Sequence, residues 1–203
     1  MSARVLKDDV LFFQRLLRLD GLYTGKLDAK WGPLTEAAAA EFDRRSDQLA
    51  SNMQVFDVRS EANIRSLTLR AQTEARSLLT RLLGSGINAR IISGTRTYLA
   101  QEALYRQGRF GDTRPVVTKA RGGHSNHNFG VAWDIGIFTA TGGYVTKDAA
   151  YREGSSVALS QSIEWGGHWM TFPDLPHYQL KLSGTVAQLR SRFEVGAADT
   201  LAA

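Results

Sequence analysis

The chain contains only four histidines, His124, His127, His168 and His177. Most of them sit in glycine-rich or turn-rich sequence, where polar side chains held on loops usually carry function. The densest stretch runs from Gly122 to Asp134 and reads Gly-Gly-His-Ser-Asn-His-Asn-Phe-Gly-Val-Ala-Trp-Asp. A second cluster, Asp174-x-x-His177, is followed directly by Tyr178 and Gln179. Two imidazoles and one carboxylate suit a zinc ion that keeps one position open, since catalytic zinc typically takes three protein ligands. Such an ion acidifies water and polarises a carbonyl, and a further carboxylate must then move the proton. His127, Asp134 and His177 can supply the ligands and Asp174 the base. Ligand and base would share one short segment while pointing to different sides of the ion. The same residue types also cap turns and join ordinary hydrogen-bond networks, and spacing alone does not separate the two roles.

Other chemistries find less support. Ser125 lies in Gly-His-Ser-Asn-His and lacks the Gly-x-Ser-x-Gly elbow of a serine nucleophile. The absence of cysteine excludes a disulfide framework, a thiolate zinc knuckle and a cysteine nucleophile together. His124 and His168 read as surface residues or as neighbours of a site.

The elements that must position these groups follow from periodicity and punctuation. Asp8 or Asp9 can cap a first helix with Leu11, Phe12, Leu16 and Leu19 on its apolar face. Gly21, Gly25 and Gly32 punctuate a loop, Thr35 opens an Ala-rich helix through Phe42, and the polar stretch Arg44–Asn52 is the expected domain boundary. One long helix is expected from Ser60 or Glu61 to Leu83, because Ile64, Leu67, Ala71, Ala75, Leu78 and Leu82 form a single stripe that Gly84 and Gly86 end. Strand-like patterns cover Ile87–Ser93 and Val131–Phe138. Helices are expected over Leu99–Gln107, Lys147–Glu164 and Gly184–Phe193, an exposed loop over Gly108–Gly123, and short strands around turns over Trp165–Gln179. Helices mixed with short strands argue an α+β fold: a small antiparallel sheet flanked by helices and carrying the zinc site, with a small helical module before it.

A chain of 203 residues has room for one good core, or a catalytic core plus a small module. Its 43% apolar and 22% charged residues exclude wholesale disorder. The net charge of +5 favours an anionic partner such as nucleic acid, anionic lipid or bacterial wall. The basic loop with Arg106, Arg109, Arg114, Lys119 and Arg121 lacks a recognition-helix or stacking pattern, so no nucleic-acid partner is expected. No run of apolar residues is long enough for a membrane span. Met1–Asp9 has no apolar core of a secretory signal, so synthesis in the cytoplasm and release to the wall or periplasm by other means is expected.

The linked motifs resemble a known family. Ser125-x-His127-x-x-Gly130-x-Ala132-x-Asp134, then Trp165-Gly-Gly-x-Trp169 and Asp174-x-Pro176-His177-Tyr178-Gln179, with Ser93-Gly94-Thr95-Arg96 upstream, are similar to the M15 zinc peptidases. The similarity spans about Leu82 to Leu182 and is nearest the phage L-alanyl-D-glutamate endolysins, which are related to D-Ala-D-Ala carboxypeptidases. It implies one zinc per chain on His127, Asp134 and His177, Asp174 as general base and acid, Arg96 on the substrate carbonyl or developing oxyanion, and Ser125 either on the substrate or orienting a ligand. It further implies bacterial peptidoglycan as the partner of a monomeric enzyme that hydrolyses the L-Ala–D-Glu bond. The alternatives are a D-Ala-D-Ala carboxypeptidase at the same site and a non-catalytic wall-binding protein with structural zinc. His168 departs from the family, whose members commonly have an acidic or polar residue there. Residues 1–52 are also similar, through Tyr23-x-Gly25-Lys26-Leu27-Asp28 and Trp31-Gly32, to a small helical peptidoglycan-binding module, leaving residues 53–203 for the peptidase domain. A helical cap packed on that domain is the other reading of the first segment.

Overall fold

The computed structural model describes residues 9–197. Helix α1 spans Val10–Leu19 and is capped by Asp9, whose Oδ1 accepts from Phe12 N at 3.0 Å; Asp8 lies outside the described residues. Both flanks of α1 are buried. Phe13 meets Phe42 edge to face on one side, and Phe12 meets Phe193 on the other with ring centroids 5.2 Å apart. Helix α2, Pro33–Asn52, begins at Pro33 rather than Thr35, because proline is suited to the first turn of a helix. It continues unbroken through the polar stretch Arg44–Asn52, whose side chains form a largely solvated helical face.

The expected long helix is two helices, α3 (Val58–Ile64) and α4 (Leu69–Gly84). Between them the chain turns so that Thr68 N donates to Gly130 O at 2.9 Å and Ser66 Oγ accepts from Thr95 N at 2.9 Å. The apolar stripe survives the break, with Ile64, Leu67, Ala71, Ala75, Leu78 and Leu82 all buried. Arg76 spans the break from within the core. Its guanidinium grips Glu61 through two 2.7 Å contacts and donates to Gln54 O at 2.8 Å, as a buried cation requires.

Strands β1 (Ala89–Ser93), β2 (Ala132–Ile137), β3 (Ile163–Trp165) and β4 (His177–Leu180) form an antiparallel sheet in the order β1-β2-β4-β3. Side chains alternate between its faces. Ile91, Trp133, Ile135, Tyr178, Leu180 and Trp165 enter the core, where α4 packs against the sheet and against helix α6 (Asp148–Ala158). Helix α6 stops short of the expected Glu164. Arg81 donates to the carbonyl of Ala158 at 2.6 and 2.9 Å, and the chain turns into β3. Helix α5 spans Tyr98–Arg106, and α7 spans Val186–Val195 with Thr185 as its cap. None of these helices is long and apolar enough to cross a membrane.

The N-terminal helices join the remainder without a gap. One core runs from Phe12 and Leu16 through Phe129 to Leu189 and Phe193. Asp20, just after α1, accepts from Leu69 N at the start of α4 with both carboxylate oxygens, at 3.1 and 3.2 Å. Burial pushes the Asp20 carboxyl up to about 7, against the opposing pull of the Leu69 hydrogen bond and the Arg45 charge. A carboxyl raised on folding contributes stability that is complete below its unfolded value and is lost as pH rises through its folded value. Asp20→Asn keeps an acceptor for Leu69 without the charge. The variant is expected to melt several degrees above the parent at pH 8 and level with it near pH 4, as read by thermal denaturation across that range. An equal gap at both pH values would contradict the assignment.

Candidate active site

The sheet register builds the site. Asp134 lies opposite His177 across β2 and β4, and an irregularity after Ile91 brings Ser93 opposite Asp134 on the other side. All three therefore sit on the face away from the helical core. The next row on that face is Ala132, Gln179 and Glu164. His127 comes from the 3-10 turn Asn126–Phe129. Gly130 ends this turn with a φ of 68°, and a Cβ there would come within 2.7 Å of Leu16 and 3.2 Å of Thr68. The turn is stitched to the loop after β1: Arg96 N donates to His127 O at 3.0 Å, and Asn128 Nδ2 donates to Arg96 O at 2.8 Å.

His127 Nε2, Asp134 Oδ1 and His177 Nδ1 form a triangle with edges of 3.2, 3.2 and 3.3 Å. A tetrahedral ion with ligands at about 2.0–2.1 Å needs donor atoms about 3.3–3.4 Å apart, so the triangle fits such an ion. The far nitrogens fix the tautomers. His127 Nδ1 lies 2.8 Å from the carbonyl of Gly94, which only accepts, so this nitrogen carries the proton and Nε2 presents a lone pair. At His177 the same logic passes through two side chains. Glu164 offers only acceptors, so Gln179 must turn its amide nitrogen toward it (3.2 Å), leaving Gln179 Oε1 to face His177 Nε2 at 2.9 Å. Nε2 therefore donates and Nδ1 points inward. Trp169 Nε1 holds the other Glu164 oxygen at 2.6 Å, and Asn126 Nδ2 donates to Gln179 Oε1 at 2.6 Å. Two inward lone pairs beside a carboxylate repel one another unless a cation or a proton lies between them.

The charges of the three groups reflect this crowding. Burial lowers His127 below the ordinary imidazole value despite the pull of Asp134. Burial acts in the same sense on His177, but its hydrogen bond to Asp134 and that carboxylate's charge raise it. Burial opposes ionisation of Asp134, yet His127, His177 and Arg96 hold its carboxyl well below the usual range. Arg96 Nη2 donates to Asp134 Oδ2 at 2.7 Å, while Nη1 reaches Gln101 Oε1 at 2.8 Å and Nε reaches Ser93 Oγ at 3.2 Å. Asp174 is raised by burial and by the charge of Asp134.

These groups open onto a cleft of about 660 Å³ whose walls include Arg96, Lys119, Ser125, Trp169, Phe172 and Asp174. Asp174 is presented by a tight turn: its N–H donates to Gly166 O at 3.0 Å, and Pro176 O accepts from Ile135 N at 2.9 Å. A Cβ on Gly166 would approach the Asp174 carbonyl to 2.6 Å, so the turn needs glycine there. The structure thus gathers Arg96, Ser125, His127, Asp134, Asp174 and His177 around one cleft. His124 also lines it and meets Arg190 Nη1 through Nε2 at 2.9 Å, whereas His168 packs edge-on against Trp165. Glu164, Gln101 and the supporting role of Gln179 escape a reading of the sequence. The available signal was Gln179 two residues beyond His177, which on a strand means the same face.

Replacing Glu164 by Gln frees the Gln179 amide to flip and releases the His177 tautomer. Glu164→Gln is expected to weaken binding of a divalent metal about 10–100-fold, as loss of a ligand's outer hydrogen-bond partner does. Chelator competition measures this, and an unchanged dissociation constant would contradict the role of the Glu164–Gln179 pair.

The chain is similar to known proteins over the segment that builds this site. Residues 118–180 match the M15 peptidase family model described as D-alanyl-D-alanine carboxypeptidase. A stretch of 104 residues, 47% of this chain, is 34% identical to the peptidoglycan L-alanyl-D-glutamate endopeptidase CwlK of Bacillus subtilis (strain 168). The match covers 62% of that relative, less than two thirds of its length. A solved structure, the Serratia marcescens L-Ala D-Glu endopeptidase ChiX, is similar at 24% identity and a TM-score of 0.47, over 62% of this chain and 89% of that one. The stretch that holds His127, Asp134, Asp174 and His177 is thus similar to the M15 peptidase family model.

Proposed function

We propose that this chain is a zinc-dependent peptidase of bacterial peptidoglycan that hydrolyses the L-alanyl–D-glutamate bond of the stem peptide. The observation that carries this reading is the donor triangle with Asp174 beside it in one cleft, within the segment that matches the family. The choice of bond follows the name of the CwlK relative.

His127 Nε2, Asp134 Oδ1 and His177 Nδ1 are the atoms that hold the ion in this reading. Bound there, zinc supplies acidification of the attacking water and polarisation of the scissile carbonyl. Asp174, raised by burial, accepts the proton of that water and returns it to the departing amine. Arg96 keeps Asp134 oriented while three of its N–H groups are engaged. Its guanidinium has five such groups, so two remain for the developing oxyanion. Ser125, at the entry to the 3-10 turn, faces the cleft where it meets the substrate backbone.

The first 52 residues form a wall-directed module in this account. The shared core through Phe12 and Leu16 and the Asp20–Leu69 link support a module docked on the peptidase domain rather than tethered to it. The enzyme acts as a monomer in an endolysin-like setting and reaches the wall from the cytoplasm by release.

Asp174→Asn and His177→Ala separate the two roles. Both are expected to lower cleavage of purified sacculi at least 100-fold. Asp174→Asn should retain about one zinc per chain, whereas His177→Ala leaves two ligands and should lose metal and thermal stability together. Metal analysis beside mass spectrometry of the digest decides the matter, with new N-terminal D-Glu as the expected product. Near-parental turnover by Asp174→Asn, or release of free D-Ala alone, would overturn the reading.

A further inference from the structure

The basic segment after α5 is not uniformly exposed charge. Arg109 and Arg121 both lie over the Tyr105 ring, at 4.3 and 5.0 Å from its centroid, and Arg121 also reaches Glu102 at 3.3 Å. Arg114 is paired with Asp112 at 2.6 Å, and Arg106 lies over Phe110. Each of these cations is satisfied within the segment or against α5. Lys119 differs. It lines the candidate cleft together with Phe172, its ammonium sits 4.6 Å from the centroid of the Phe172 ring, and no ion pair joins it to a carboxylate among the described residues. The cleft's other long cation, Arg96, is already committed to Asp134.

From this placement we infer that Lys119, backed by Phe172, is a subsite for a free carboxylate on the leaving-group side of the scissile bond. The inference rests on the peptidase reading above and adds what selects the substrate. Phe172 stands two residues before Asp174 in the chain and lines the same cleft, which sets the cation–aromatic pair on the side of the group that protonates the departing amine in this reading. In an alanyl–glutamate substrate the residue that carries this amine is glutamate. Glutamate linked onward through one carboxyl keeps the other free, and that free carboxylate is the anion Lys119 would meet. Lys119 is exposed, and the ring face steadies its ammonium at the cleft, where it can make a charge-assisted contact with an anion. A neutral amide in place of the carboxylate forfeits the charge and leaves the ammonium without its partner.

The test compares two soluble peptides that differ only in whether the glutamyl residue after the scissile bond carries a free carboxylate or its amide. The zinc-loaded full chain is expected to favour the acid by about tenfold in kcat/KM, mainly through KM, with the preference falling as salt is raised. Lys119→Met should abolish the preference and Lys119→Arg should restore it. A preference that persists in Lys119→Met, or that the parent never shows while cleaving both peptides, overturns the subsite and leaves the peptidase reading standing. Cleavage of neither peptide by the parent overturns both.

Discussion

Side chains that stand directly opposite one another on neighbouring antiparallel strands project from the same face of the sheet. With Asp134 paired to His177 across β2 and β4, both donors project on the side of the sheet away from α4. A slip of one residue would carry one donor into the core among Trp133, Ile135 and Tyr178, where an unpaired charge is costly. The apolar face therefore does chemical work: burying Ile135, Tyr178 and Leu180 locks the register, and the register sets the donor atoms within 3.3 Å of one another. His127 completes the triangle from outside the sheet. Its placement depends on Gly130 and on the carbonyl of Gly94, so the turn and the loop after β1 are held as one unit.

That unit rests in turn on the break between α3 and α4. A continuous helix would leave Ser66 and Thr68 bonded within its own backbone. The break instead sends Thr68 to Gly130 and Ser66 to Thr95, and Arg76 with Glu61 closes the gap from inside. The N-terminal helix reaches the same place, since Leu16 packs where a side chain on Gly130 would stand. Support of the site is thus spread over residues far apart in the chain, from Leu16 to Gln179.

The chemistry was legible in the sequence because it uses scarce residue types in dense motifs. Four histidines in the chain, three of them in glycine-rich or turn sequence, narrowed the candidate ligands to the group that the structure brings together, and the α+β class followed from pattern. The helix break was not legible, because Ile64, Leu67 and Ala71 keep helical spacing across it and the apolar stripe carries no trace of the turn. The end of α6 was hidden for a related reason. Ala158 stops the helix by bonding to Arg81, 77 residues away, and no local breaker marks the place. Glu164 stayed unnoticed because its significance comes from cross-strand pairing with Gln179, which only the register reveals.

The account stands on the inward direction of two lone pairs. Nitrogen-15 NMR of the zinc-loaded protein reads this directly, since protonated, free and metal-bound imidazole nitrogens differ in chemical shift. The expected result is metal on Nε2 of His127 with its Nδ1 protonated, and metal on Nδ1 of His177 with its Nε2 protonated. Coordination of His177 through Nε2, or the absence of a metal-bound nitrogen in either ring, would contradict it.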